Sequence, residues 1–266
     1  MNYLHDKLSI AGMAVPLLAV RQNEKTACGE YLDLIDLGLL AESWGLNLIQ
    51  LLPLNDTGDL PSPYAALSAF ALHPIHLSLQ AAPETLAARG VSLSAAEKAV
   101  LSEAHEDLAT RYASAGRVPF GQVLAGKLEA FRKVWNACRE GLMPQVERFA
   151  EEQAWAKPYA AFMTLKQRYA LAPWWEWPEF RNPSPSDIEA LWQAPDSGEE
   201  MRFRIFLQVL ARDQLEAAAQ AVHARGIDIM GDIPILLAPD SADVWFQRAM
   251  FRLDRQAGSP PDWPGH

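Results

Sequence analysis

The residue best placed to do chemistry in this chain is the carboxylate of Asp232. It stands in Gly226 to Trp245, Gly-Ile-Asp-Ile-Met-Gly-Asp-Ile-Pro-Ile-Leu-Leu-Ala-Pro-Asp-Ser-Ala-Asp-Val-Trp. Around it, Ile227, Ile229 and Ile233 to Leu237 read as a buried parallel strand. A buried carboxylate without partners is costly, so Asp232 must be hydrogen-bonded or face a polar cavity. One reading makes it an acceptor for ligand hydroxyls at the mouth of a barrel, where strand ends carry the chemistry. The other makes it a structural carboxylate holding a neighbouring loop. Asp240 and Asp243 read as caps of a helix starting near Ser241.

A second candidate is Ser62-Pro63-Tyr64-Ala65-Ala66. Pro61 and Pro63 restrict the backbone on either side of Ser62, so its hydroxyl and the Tyr64 phenol have little freedom to lose. Such groups suit ligand contact, and they suit plain turn chemistry equally. Trp174, Trp175 and Trp177 lie within four residues; they either stack on sugar rings or fill a seam between helices.

Other motifs lead away from chemistry. Gly121-x-x-x-x-Gly126-Lys127 nearly spells a phosphate loop, but Leu128 stands where a magnesium-binding Ser or Thr belongs, and no strand precedes it. Neither the dinucleotide fingerprint nor the nucleophile elbow occurs. Of six histidines only His73 and His76 are close, and without a third ligand they read as packing or capping residues. Cys28 and Cys138 have no metal or redox spacing; a disulfide between them is one reading, and two isolated buried thiols in a reducing compartment are the favoured one. No metal and no cofactor is expected.

Lys and Arg total 23 against 33 Asp and Glu, a net charge of −10, which argues against nucleic-acid backbones as partners. A neutral ligand fits. No apolar stretch approaches the ~20 residues of a membrane helix, and no secretory signal is apparent at the N-terminus. These features predict a cytoplasmic protein with no membrane partner.

The elements that would position these residues alternate. An apolar run from Gly12 to Val20 reads as a first strand, Glu30 to Trp44 as a helix stopped by Gly45, and Leu46 to Leu54 as a second strand. Strand–helix–strand order implies a parallel pair and an α/β class. Helical patterns follow at Ser94–Tyr112, Gln122–Cys138, Pro144–Tyr169 and Ser186–Gln193. Glu199–Arg225 then feeds the strand at Ile227, and Gln256–His266 reads as loop. The expected organisation is residues 1–82 for strands 1 and 2 with their helix, 83–198 for a helical insertion subdomain, and 199–266 for a helix, strand 3 and a truncated loop. Three parallel strands alone would leave long open edges, so the pattern predicts an incomplete TIM (β/α)8 barrel, its first three strands carrying a helical insertion.

Several stretches also carry a resemblance. Ile49-Gln50-Leu51-Leu52-Pro53-Leu54-Asn55-Asp56-Thr57, the run from Ser62 to Pro74, Gly231 to Ile235, Asp240 to Trp245, Phe251 to Asp254 and Pro260 to Asp262 resemble the N-terminal region of the 4-α-glucanotransferases, the amylomaltases or disproportionating enzymes of glycoside hydrolase family 77. The wording is most similar to the bacterial branch related to the plant cytosolic enzyme. The first strand departs, lacking the His-x-Thr-Ser-Leu-Pro wording of bacterial amylomaltases, and the loop before Ser62 is short.

The resemblance implies an α-amylase-clan barrel that moves α-1,4-glucan segments between malto-oligosaccharides. Retention requires a nucleophilic carboxylate and a protonated carboxyl about 5 Å apart. The family carries the nucleophile in an Arg-x-Asp-His segment on the fourth strand and the acid/base glutamate on the fifth, and neither segment stands in residues 1–266. Ser62, Tyr64 and Asp232 carry over as partners for glucose hydroxyls. The chain is therefore expected to be an N-terminal portion, inactive by itself. The alternatives are a non-catalytic glucan-binding remnant and a hydrolase of the same clan.

Overall fold

The computed structural model describes residues 9–21, 25–234 and 237–255. The N-terminal segment, Ile235 and Leu236 of the expected third strand, the loop from Gln256 and the match at Pro260 to Asp262 lie outside them. Three parallel strands form one sheet in the order β1-β2-β3: β1 is Gly12–Val15, β2 Leu48–Leu51 and β3 Asp228–Met230. Gly12 to Val15 pair with Leu48 to Leu51, and Leu48 to Gln50 pair with Asp228 to Met230. Between β1 and β2 runs α1, Asp33–Ser43, and Gly45, at φ +71°, takes the left-handed conformation just past its end. The α/β class and the parallel pairing are as the pattern predicts.

All three strands are shorter than their apolar runs. Pro16, which lacks an N–H, ends β1, and Leu17–Ala19 turn into a 3-10 segment. The third strand stops at Met230 instead of reaching Leu237, and Ile233 is 73% exposed. Past Met230 the chain has left β2 behind, and Pro234 offers no ladder donor, so hydrophobicity alone does not extend the strand.

Seven more helices follow among the described residues: α2 Ala82–Ala88, α3 Ala95–Tyr112, α4 Phe120–Glu152, α5 Ala156–Arg168, α6 Pro185–Gln193, α7 Pro195–His223 and α8 Ala242–Phe246. Ser94 and Ser184 open α3 and α6 with reciprocal capping boxes. The separate patterns at Gln122–Cys138 and Pro144–Tyr169 are divided differently from expectation. One helix, α4, runs through Pro144, and the break comes at residues 153–155. Phe131, Val134, Trp135, Leu142, Val146 and Phe149 are all buried on α4. Breaking that stripe would expose more than the single hydrogen bond Pro144 forfeits.

The core is organised around α7, which packs on α1 and β3 and also on α2, α4, α5 and α6. Its buried Met201, Phe203, Ile205, Phe206, Leu207, Val209 and Leu210 surround much of the helix. Two of its glutamines grip the loop after β2. Gln208 accepts from Leu72 N and donates to Leu72 O, both at 2.8 Å, and Gln214 does the same to Ser78 at 2.7 and 3.1 Å. Each amide replaces a missing backbone partner in the interior. Lys127, from the near-match to a phosphate loop, is a buried interior residue of α4. Its Nζ donates to Glu30 Oε1 at 2.7 Å and to the carbonyls of Ile75 and Leu77 at 2.8 Å. Cys28 is buried, Cys138 half-buried, and no disulfide joins them.

Candidate functional site

The chain leaves β2 through Leu52-Pro53-Leu54 and enters a loop organised by Asp56. This carboxylate is 2% exposed. Its Oδ1 accepts from Gly58 N at 2.8 Å, an Asx turn, and its Oδ2 accepts from the phenol of Tyr159 on α5. Its backbone N donates to Ala71 O at 2.8 Å, and its carbonyl accepts from Leu67 N at 2.7 Å. Burial, reinforced by the facing Asp56, raises the Tyr159 phenol well above its ordinary range, so it stays a donor.

His73 and His76 complete the underside. His73 Nδ1 accepts from Ile75 N at 3.1 Å, capping the turn Pro74–His76, and its Nε2 lies 3.1 Å from Gly58 O. His76 Nδ1 lies 2.8 Å from Gly29 O. Burial lowers the pKa of His73 and pushes His76 down to about 3, which makes both neutral at pH 7. The capping and packing reading of this pair is the one the geometry matches. Among the described residues no group of three or more His, Cys, Asp or Glu could hold a metal.

Above this base the loop presents Ser62 and Tyr64, both exposed. Tyr64 Oη donates to Asp232 Oδ2 at 3.1 Å across 168 residues of sequence, and this bond, first among the causes, raises the phenol's pKa. Asp232 follows β3 by two residues and is half-buried. Its Oδ1 accepts from Ile233 N at 2.8 Å. The fold thus joins Tyr64 and Asp232 past the carboxyl ends of β2 and β3. Ser62 stands on the same turn, its carbonyl accepting from Ala65 N at 3.1 Å. Asp232 is less enclosed than an apolar run predicts, because the strand that would bury it ends first.

The tryptophans divide. Trp174 Nε1 donates to Pro239 O at 2.9 Å, and fully buried Trp177 donates to Ala172 O at 2.8 Å. Both fill a seam between helices, whereas Trp175 is exposed. The capping roles expected of Asp240 and Asp243 are corrected. Ser241 Oγ caps α8 by accepting from Val244 N at 3.3 Å. Asp240 instead pairs with Lys166 and accepts from Trp174 N at 3.1 Å, and Asp243 accepts from Ala69 N at 2.9 Å. Both carboxylates bind segments distant in sequence, which outcompete the local cap.

Sequence reasoning missed Asp56, Lys166 and Gln208 as the fasteners of this region. Only Asp56 had a signal, the Asp-x-Gly spacing to Gly58. A cleft of about 510 Å³ also opens between the loop of residues 56–67 and α4, α5 and α7. Leu60, Leu67, Leu124, Leu128, Met163 and Leu171 line it, and Tyr64 and Asp232 do not. The Tyr64–Asp232 pair is open surface. One phenol and one carboxylate there can exchange hydrogen bonds with a neutral, hydroxyl-rich ligand.

Residues 15–265 match the family model described as 4-alpha-glucanotransferase, glycoside hydrolase family 77. The 4-alpha-glucanotransferase of Chlamydia pneumoniae is 32% identical over 259 residues, covering 94% of this chain and 46% of that relative. The 4-alpha-glucanotransferase DPE2 of Oryza sativa is 30% identical over 262 residues, covering 95% of this chain and 26% of the relative. The amylomaltase of Streptococcus agalactiae, solved in complex with acarbose, aligns with a TM-score of 0.67 at 20% identity, covering 92% of this chain and 47% of that one. The chain shares the fold of that amylomaltase over this region and spans less than half the length of each of these relatives.

Proposed function

This chain belongs to the 4-alpha-glucanotransferase family, glycoside hydrolase family 77, and from that membership we propose that it forms the glucan-contacting front of a retaining 4-α-glucanotransferase. In this reading the three strands open a (β/α)8 barrel of the α-amylase clan, residues 83–198 are a helical insertion subdomain, and the protein acts in the cytoplasm. No described helix is long and apolar enough to cross a membrane. Tyr64, Asp232 and Ser62 hydrogen-bond the hydroxyls of a malto-oligosaccharide. Polypeptide beyond residues 1–266 brings the nucleophile and the acid/base carboxyl of the double displacement, since no Arg-x-Asp-His segment stands in this sequence.

The observation that carries the proposal is the 3.1 Å bond between Tyr64 and Asp232. It joins two residues of family-like motifs, 168 positions apart, where barrel enzymes bind substrate. The acarbose complex of the S. agalactiae amylomaltase supports a sugar-like ligand.

The test is maltotriose disproportionation by a polypeptide spanning the family's full length, with Tyr64→Phe and Asp232→Asn beside the parent. A ladder of longer oligosaccharides is expected from the parent. Each variant should lose roughly 10- to 100-fold in kcat/KM, the loss of one or two hydrogen bonds that involve a charged carboxylate. Glucose release without a ladder would mean a clan hydrolase. Glucan binding without turnover would mean a non-catalytic binder.

A further inference from the structure

Phe70 lies six residues beyond Tyr64 on the same loop and is 54% exposed. Single exposed aromatics are ordinary on protein surfaces. What distinguishes Phe70 is its backing: its ring lies nearly parallel to that of Trp155, at 6.1 Å and 13°. Trp155 is in turn wedged edge-on between Phe149, at 5.8 Å and 89°, and Tyr159, at 6.0 Å and 63°. Its indole N–H donates to Gln153 Oε1 at 3.2 Å. Tyr159 is the residue whose phenol anchors Asp56.

The backbone under Phe70 is equally tied. Ser68 Oγ accepts from Phe70 N and Ala71 N at 3.1 and 3.2 Å, and Asp243 accepts from Ala69 N. Both rings are therefore held before any ligand arrives, and little ordering entropy remains to be lost on binding. Beside Trp155 a small recess of about 20 Å³ has Gln247 exposed on its rim, while Ser68 and Asp243 in its wall are already engaged by the backbone.

We propose that Phe70, stiffened by Trp155, is a stacking platform for one glucose unit of an α-1,4-glucan, distinct from the Tyr64–Asp232 contact. The inference rests on the glucan reading given above for the substrate class. A pyranose offers a flat C–H face to the negative face of an aromatic ring and hydroxyls at its rim. The platform supplies the first, and the exposed amide of Gln247 beside Trp155 offers a partner for the second. Six residues of chain separate Tyr64 from Phe70 by at most roughly 22 Å. A glucan of several units spans both contacts, whereas a short one engages a single contact.

Isothermal titration of the 266-residue chain with maltotriose and with maltoheptaose tests this. Variants are Phe70→Ala, Phe70→Leu, Tyr64→Phe and Asp232→Asn, each checked for folding by circular dichroism. Both Phe70 variants should weaken maltoheptaose binding about fivefold and leave maltotriose unchanged. The indole N–H resonance of Trp155 should shift on titration with maltoheptaose in the parent and not in Phe70→Ala. If Phe70→Ala binds maltoheptaose like the parent, or if Phe70→Leu restores parent affinity, the platform is overturned. Loss at Tyr64→Phe or Asp232→Asn with an inert Phe70→Ala would drop the platform and keep the proposed site. The reverse pattern would drop the proposed site and keep the platform, and no binding by the parent would overturn both.

Discussion

At the scale of single residues the molecule rests on charged groups whose partners come from elsewhere in the chain. Lys127 is the clearest. Burial opposes its charge, yet the facing Cys28, Glu30 and Asp33 hold its pKa above the ordinary lysine value. Lys127→Met would leave Glu30 charged and unpaired, and should cost about 3–5 kcal/mol in urea denaturation. The double variant Lys127→Met/Glu30→Gln should recover much of that loss; equal losses would show that the pair is not the cause. Asp33 gives a pH signature. Burial raises its carboxyl to about 6, against a lowering bond from Glu30 N. A raised folded pKa contributes stability that is full below the unfolded value, near 3.9, and is lost as pH rises through about 6. Relative to Asp33→Asn, the parent should therefore lose stability between pH 4 and 6.5, and parallel denaturation midpoints across that window would refute the assignment. The Lys127–Glu30 pairing was not legible in sequence. Lys127 read as part of a failed phosphate loop, because spacing along a helix says nothing about a carboxylate 97 positions away.

At the scale of elements, amphipathic stripes decided what propensity left open. Pro144 predicted a boundary, yet α4 continues through it because both halves bury one stripe in the core. Pro144 is exposed and still forfeits a helical hydrogen bond, so Pro144→Ala should raise the melting temperature, by up to about 3 kcal/mol in stability. A fall would mean that the proline ring itself contributes to packing. The central role of α7 predicts the opposite response at Phe206, fully buried against Phe131 and Trp135. Phe206→Ala should cost about 3–5 kcal/mol, and a differential scan should show sheet and helical region losing structure in one transition. Strand lengths failed from sequence for a related reason. Apolar runs mark where a strand is possible, whereas ladder partners decide where it stops.

At the scale of the whole molecule, β1 and β3 each pair on one side only among the described residues. Ile10 before β1, Leu39, Leu40 and Trp44 on and after α1, and Ile233 after β3 are exposed. Open parallel edges beside apolar surface favour association. The 266-residue chain alone should therefore self-associate with rising concentration in sedimentation velocity. A polypeptide of full family length should remain a defined species. A strictly monomeric 266-residue chain would argue that these edges are protected as they stand. The sequence by itself determined the α/β class, the parallel order, and the family to which Tyr64 and Asp232 belong. These are local periodicities and short motifs, written in neighbouring residues. Only the tertiary structure decided that Tyr64 bonds Asp232, that Asp240 answers Lys166 instead of capping a helix, and that Phe70 lies nearly parallel to Trp155. Each is a meeting of side chains between 74 and 168 positions apart, and such contacts are fixed by how helices pack around α7, which no local pattern encodes.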